Sequence, residues 1–374
     1  MSLPPWLIGS EIYRRSTYGP KHPLAIPRVS TTLDLVRALG WLDPAQYRDS
    51  PMADEAQLTR FHDPGYIAAL RRAEEAQAVS AEDRVRYRIG ADGNPVYREV
   101  FRRPATSAGG VLLAAELTCA GGVAHVPGGG THHGRADRAS GFCYVNDAVL
   151  GLLAWRDQGL RRILYIDVDA HHGDGVQDAF HDDPRVFTLS IHEAGRWPFT
   201  GQAEDRAGGA AWNLPVPPGF HDAEMRALLD GLVLPFIARH RPDAIMLQCG
   251  ADALLEDPLS RLALSNNAHR DLVAALHGAA PRLIVLGGGG YNPWSVARCW
   301  ALAWAELNGI APPLALPEAA EAVLRGLTYH RAAGRNPAGH WFTTILDAPR
   351  EGPLSEAVRA LLARGLPDWP DPVA

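Results

Sequence analysis

The stretch IDVDAHHGDGV (166–176) holds three aspartates and two histidines, side chains that bind cations and move protons. A strand alternates its side chains between two faces, so Asp167, Asp169 and His171 are expected to share one. Three ionisable groups on one buried face are costly unless a cation joins them. A further carboxylate ends another apolar run, Asp252 in CGAD (249–252). Asp169, His171 and Asp252 together offer one nitrogen and two carboxylates. Three protein ligands with an open position suit catalytic zinc rather than a closed structural site. Iron(II) accepts the same donors. Such a centre acidifies water and polarises a carbonyl, so hydrolysis is the chemistry on offer.

His132 and His133 lie in GGGTHHG (128–134), behind glycines that let the backbone turn sharply. Asp167 and Asp174 are left over from the ligand set. If each accepts an N–H from one imidazole, both rings are oriented and made more basic. Two such rings beside a cation and its water form a general acid/base pair. Tyr291 follows a four-glycine run in LGGGGYN (286–292). Its phenol could donate a hydrogen bond to a developing oxyanion. Glycines alone can cradle phosphate, but neither the dinucleotide nor the Walker pattern is present.

Five apolar runs lead into these residues, at 123–130, 162–175, 186–195, 243–252 and 282–292. Their hydrophobicity is continuous rather than alternating, so strands buried on both faces are expected. Helical patterns lie between and around them, at 107–119, 146–157, 221–240 and 267–280. Strand and helix in alternation predict an α/β fold with a doubly wound parallel sheet. Its ligand crevice lies at the carboxyl ends of the strands, where the polar and glycine-rich sequence falls. From about 311 the chain turns rich in Pro and Arg, with a helix expected at 355–364. That segment is read as an extension packed on a single domain spanning 1–374.

A net charge of -6 argues against a nucleic-acid-binding surface. No run of about 18 apolar residues occurs, so no membrane span is expected. The first residues are too polar for a secretory signal. Cys119, Cys143, Cys249 and Cys299 lack C-x-x-C spacing and read as isolated thiols of a reducing compartment, so a cytoplasmic location is expected. Lys21 is the only lysine. The arginine-heavy composition points to a GC-rich bacterial genome.

Seven stretches closely resemble the zinc-dependent histone deacetylase family, and its bacterial acetoin utilization members most of all. They are YGPKHP (18–23), FHDPGYI (61–67), GGGTHHG (128–134), SGFCYVND (140–147), YIDVDAHHGDGVQ (165–177), GADALLEDPLSRL (250–262) and LGGGGYN (286–292). The resemblance runs from about 18 to 307. It implies an arginase-like fold, one parallel sheet flanked by helices on both faces. It implies zinc on Asp169, His171 and Asp252, the pair His132 and His133 with partners Asp167 and Asp174, and Tyr291 polarising the substrate carbonyl. A structural potassium ion would take the side chains of Asp167 and Ser190 and the carbonyls of Asp169, His171 and Ile191. Phe142, after Gly141, matches one aromatic wall of an acyl-lysine tunnel. Trp197 matches the other, with Phe199 the competing choice. Leu259 matches an apolar tunnel lip, where an acidic residue would favour polyamines. Asp92, in IGADGNP (89–95), matches a rim aspartate that binds the substrate backbone. The implied activity is hydrolysis of N-acetyl amides, above all acetyl-lysine side chains of proteins. Small acetylated amines such as acetylpolyamines are the alternative, and a non-catalytic acyl-lysine reader is a third reading. Oligomeric state is left open.

Overall fold

A computed structural model describes residues 4–370. Among them, eight strands form one sheet: β1 (Trp6–Gly9), β2 (Tyr47–Asp49), β3 (Gly122–Val126), β4 (Ile163–Asp167), β5 (Val186–Glu193), β6 (Ala211–Val216), β7 (Ala244–Gln248) and β8 (Arg282–Leu286). Their order is β2-β1-β3-β8-β7-β4-β5-β6, and every neighbouring pair is parallel. The five apolar runs are the contiguous centre of this sheet, β3, β8, β7, β4 and β5. Sequence pattern passed over the edges. There β1 and β2 are only four and three residues long, and Pro215 interrupts β6.

Burial on both faces accounts for the continuous hydrophobicity. In β4, Leu164 and Ile166 join one apolar cluster while Ile163 and Tyr165 join another across the sheet. β7 divides the same way, Ile245 and Leu247 against Ala244 and Met246. Helices supply the rest of both clusters. Asp147–Asp157 is capped by Asn146, whose side chain accepts from the Val149 amide. Asn266–Leu276 is capped by Ser265, and Glu356–Ala363 by Ser355. The pattern at 107–119 belongs to a helix that starts earlier, Arg102–Leu117. The pattern at 221–240 resolves into Asp222–Leu228 and Leu234–His240, joined by a π turn. None of the described helices is long and apolar enough to cross a membrane.

Register aligns the strand ends. Asp167 stands beside Gln248 and Ser190, Gln248 beside Leu286, and Leu286 beside Val126. After β3 the chain crosses to β4, and β7 and β8 later fill the gap. The loops after these four strands therefore meet at a topological switch point.

One expectation is corrected. Strand β4 ends at Asp167, so Asp169 and His171 do not share its face. The Asp167 side chain accepts from the Asp169 amide at 3.0 Å, and the Asp169 side chain from the His171 amide at 3.0 Å. Side-chain acceptors replace the ladder at these two amides, and the chain bends over 169–171.

Described residues beyond 311 pack into the cluster beneath the sheet. Trp341 stacks on Trp294 at 5.1 Å, and Trp369 meets Phe187 at 5.3 Å. Residues 1–3 and 371–374 of the expected single domain lie outside the described residues. A buried ion pair ties this segment down. Arg298, 0% exposed, donates to Asp347 at 2.5 Å and to the Thr344 carbonyl at 2.7 Å. Replacing Asp347 with Ala strands that guanidinium, and stability should fall by about 3–5 kcal/mol. Chemical denaturation measures it, and an unchanged midpoint removes this pair as the anchor.

Candidate active site

The bends after β4 bring Asp169 and His171 against Asp252, which sits in a one-turn helix, Ala251–Ala253, after β7. Their ligand atoms all lie within 4.8 Å of one another, and among the described residues no other group of three or more His, Cys, Asp or Glu is placed to hold a metal ion. His171 Nδ1 is 2.9 Å from Asp252 Oδ2 and 3.2 Å from Asp169 Oδ1. Backbone amides fix the carboxylates: Gly289 donates to Asp169 at 2.7 Å and Ala170 to Asp252 at 2.9 Å. Such closeness requires glycine. A Cβ on Gly289 would come within 2.0 Å of Asp252 Oδ2, and one on Gly250 within 2.3 Å of Asp169 Oδ2.

The cluster calls for positive charge. Burial and the charge of Asp169 push Asp252 up to about 6. Burial disfavours a charged His171, yet its hydrogen bonds to Asp169 and Asp252 raise it to about 10. Two carboxylates and one imidazole, desolvated and convergent, fit a divalent cation.

Beside them stand His132 and His133, ring centroids 3.9 Å apart. His132 Nδ1 is 2.8 Å from Asp167 Oδ2, and His133 Nδ1 is 2.7 Å from Asp174 Oδ1. The two rings are tuned in opposite directions. Burial opposes charge on His132, but Asp167 and Asp169 outweigh it and lift its pKa to about 9. Burial and the neighbouring His132 depress His133 to about 4, despite Asp174.

Tyr291 lines both an outer cavity of about 560 Å³ and an inner one of about 60 Å³. Burial and the nearby charge of Asp252 hold its phenol protonated, well above the usual value. Phe142, Trp197, Gly141, Leu259 and Asp92 line the outer cavity. Trp197 lies 4.7 Å from His133, whereas Phe199 is 68% exposed, so Trp197 is the ring inside the mouth. A Cβ on Gly141 would collide with both Trp197 and His133. Asp92 is mostly exposed and ion-paired with Arg88 at 3.2 Å. Ser190 and Asp167 lie side by side, and the Ser190 hydroxyl is 2.8 Å from His192 Nδ1.

Sequence reasoning missed the side chains that hold these. Tyr165 donates its hydroxyl to Asp167 at 2.9 Å, and its place two residues earlier on the same strand was a usable signal. Arg135 grips both Asp174 and Asp178. Glu193 accepts from Arg196 at 2.9 Å and from the Arg261 amide at 2.8 Å, tying the Trp197 loop to the Leu259 turn. Only the Glu193–Arg196 pair, three residues apart, has a local spacing; nothing in local pattern marks the Arg135 grip or the Arg261 bond.

Comparison with known proteins agrees with this geometry. The family model for the histone deacetylase domain matches residues 22–307. The acetoin utilization protein AcuC of Bacillus subtilis (strain 168) is 35% identical over 324 residues, 83% of this chain and 84% of that protein. The histone deacetylase RPD3 of Saccharomyces cerevisiae is 34% identical over 312 residues, 80% of this chain and 71% of that one. Among solved structures, an HDAC homolog from Aquifex aeolicus matches with a TM-score of 0.92 and 36% identity, covering 97% of this chain and 99% of its own. An HDAC homolog complexed with SAHA matches at 0.91 with the same identity and coverage. The single parallel sheet between helical layers is the arginase/deacetylase-like arrangement that the motifs implied. The chain belongs to the histone deacetylase family.

Proposed function

We propose that this hydrolase removes acetyl groups from lysine side chains of proteins in the cytoplasm, with zinc on Asp169, His171 and Asp252. The observation that carries the reading is the triad of Asp169, His171 and Asp252 at the base of a mouth lined by His171, His133, Tyr291, Phe142 and Trp197. A divalent cation there would polarise the amide carbonyl and acidify the attacking water. His133 is the general base. Its Nδ1 is committed to Asp174, its pKa favours the neutral ring, and Nε2 remains to take a proton from water and return one to the leaving amine. His132, held charged by Asp167, orients the pair and adds positive potential. Tyr291 donates its O–H to the oxyanion. Phe142 and Trp197 flank the lysine stem and exclude water. The chain is read as one deacetylase domain, its segment beyond 311 packed on that core.

Oxygen donors also support the expected potassium ion, since Asp167 and Ser190 adjoin and such ligands suit a hard cation. Four unpaired cysteines support a reducing compartment. At the mouth, Asp92 is already engaged by Arg88, and Arg138 and Arg196 line the same cavity. With Leu259 apolar, nothing there attracts a polyamine. Acetyl-lysine peptides should therefore be turned over faster than acetylputrescine, and steady-state rates on both substrates decide it. A reversed preference makes small amines the substrate.

Elemental analysis should find about one zinc or iron per chain, and His171→Ala should remove most of it, because two of the three ligands make an incomplete site. Retained metal in that variant would place the ion elsewhere. Tyr291→Phe should fold normally yet lose on the order of 100- to 1000-fold in kcat on acetyl-lysine peptides. Turnover near the wild-type rate would refute the role of the phenol.

A further inference from the structure

Asp257 is buried and takes no part in the reaction derived above. Its two oxygens serve two loops. Oδ1 accepts from the Leu259 amide at 2.9 Å, in the turn that forms the tunnel lip, and Oδ2 accepts from the Tyr291 amide at 2.6 Å, at the end of the glycine run. The residue after Tyr291 is also fixed. The Asn292 side chain accepts from the Trp294 amide at 3.1 Å, capping the helix Pro293–Leu307, and donates to the Glu256 carbonyl at 3.4 Å. On the other side stand Gly288 and Gly290, with φ of 117° and 132°. Glycines supply no stiffness of their own. Bonds from outside hold the glycine run, Gly289 to Asp169 and Arg28 to the Gly288 and Gly290 carbonyls, and at Tyr291 itself the path is set by the Asp257 carboxylate and the helix cap that follows.

We infer that Asp257 is a positioning residue for Tyr291, fixing the backbone from which the phenol reaches the acyl carbonyl and coupling it to the tunnel lip at Leu259. This rests on the reading of Tyr291 as the oxyanion donor. A carboxylate suits the task because it offers an acceptor to each loop. A carboxamide offers one oxygen, and its NH2 would face a backbone N–H. Misplacing a donor by about 1 Å is enough to cost on the order of 100-fold.

The test is a double-mutant cycle of Asp257→Asn and Tyr291→Phe, read as kcat and KM on an acetyl-lysine peptide with metal content measured for each protein. Asp257→Asn alone should lower kcat by about 10-fold or more, with KM changed by less than about threefold, as expected when an interaction made only in the transition state is lost. In the Tyr291→Phe background the same change should cost less than about twofold, because groups acting as one unit are not additive. Asp257→Glu, which keeps both acceptor oxygens, should recover part of kcat. Independent, multiplying losses overturn the inference. So does a kcat that returns to normal once corrected for bound metal, or a Glu variant no better than the Asn. If the wild-type protein proves inactive on acetyl-lysine, the functional reading has failed instead. The coupling is then read from the affinity of the hydroxamate SAHA for the same four proteins, where additive losses again overturn it.

Discussion

Desolvated charge at one end of a parallel sheet is the constraint on which this structure turns. Asp167, Asp169, Asp174 and Asp252 are all buried, with His132, His133 and His171 among them. An isolated carboxylate in such surroundings is unstable, so each must find protons, amides or cations within reach. The fold meets the demand by aiming backbone N–H groups at carboxylate oxygens, from Asp169 to Asp167, His171 and Gly289 to Asp169, and Ala170 to Asp252. Glycines at 250 and 289 leave room for the carboxylates, since a Cβ on either would collide with Asp169 or Asp252. What the amides leave over is a net requirement for positive charge at Asp169, His171 and Asp252, and that remainder is the chemical capacity of the site.

Much of this was legible in the sequence, and the failures have physical causes. Central strands were readable because burial on both faces leaves an unbroken apolar run. The outer strands β1, β2 and β6, two at the edges and β1 next to one, were not, since a short or proline-interrupted strand carries little pattern. The structure brings Asp169 and His171 together with Asp252, but strand periodicity gave the wrong reason. They converge through side-chain-to-amide turns beyond the end of β4, and such turns happen to share the two-residue repeat of a strand. Arg135, Glu193 and Asp257 were passed over because each has a partner fixed only by tertiary contact: two aspartates, the Arg261 amide, and the Tyr291 amide.

The opposed tuning of the two histidines follows from what their aspartates already do. Both rings are buried, so desolvation works against charge on each. His132 Nε2 lies 3.8 Å from Asp169 in addition to its bond with Asp167, and so answers two carboxylates. His133 has Asp174, which Arg135 also grips, leaving less of that negative charge to favour an imidazolium. With His132 charged, a second positive ring at 3.9 Å is disfavoured further. The surroundings therefore favour a neutral ring at His133 and a charged one at His132, although the sequence presents them as identical neighbours.

The tunnel wall is held by a different set of bonds from those that hold the charges. Phe142 has a φ of 68°, a left-handed conformation that a bulky residue adopts only when its surroundings insist. Its amide donates to the buried Asn94 side chain at 2.8 Å, and its carbonyl accepts from the Tyr18 hydroxyl at 3.1 Å. Neither partner touches a carboxylate of the metal triad. Strain is tolerated where a structure over-determines the residue, and here two polar bonds from remote loops do so. The Phe142 ring on the cavity wall is thus anchored to residues 18 and 94, while the proposed proton transfer rests on residues beyond the ends of β3 and β4. A change at Tyr18 or Asn94 acts on the cavity wall through Phe142, with no bond to the triad or the histidine pair broken. The reverse separation fails at Gly141, whose missing side chain keeps Trp197 and His133 close together, so the wall and the His133 ring cannot be altered independently there.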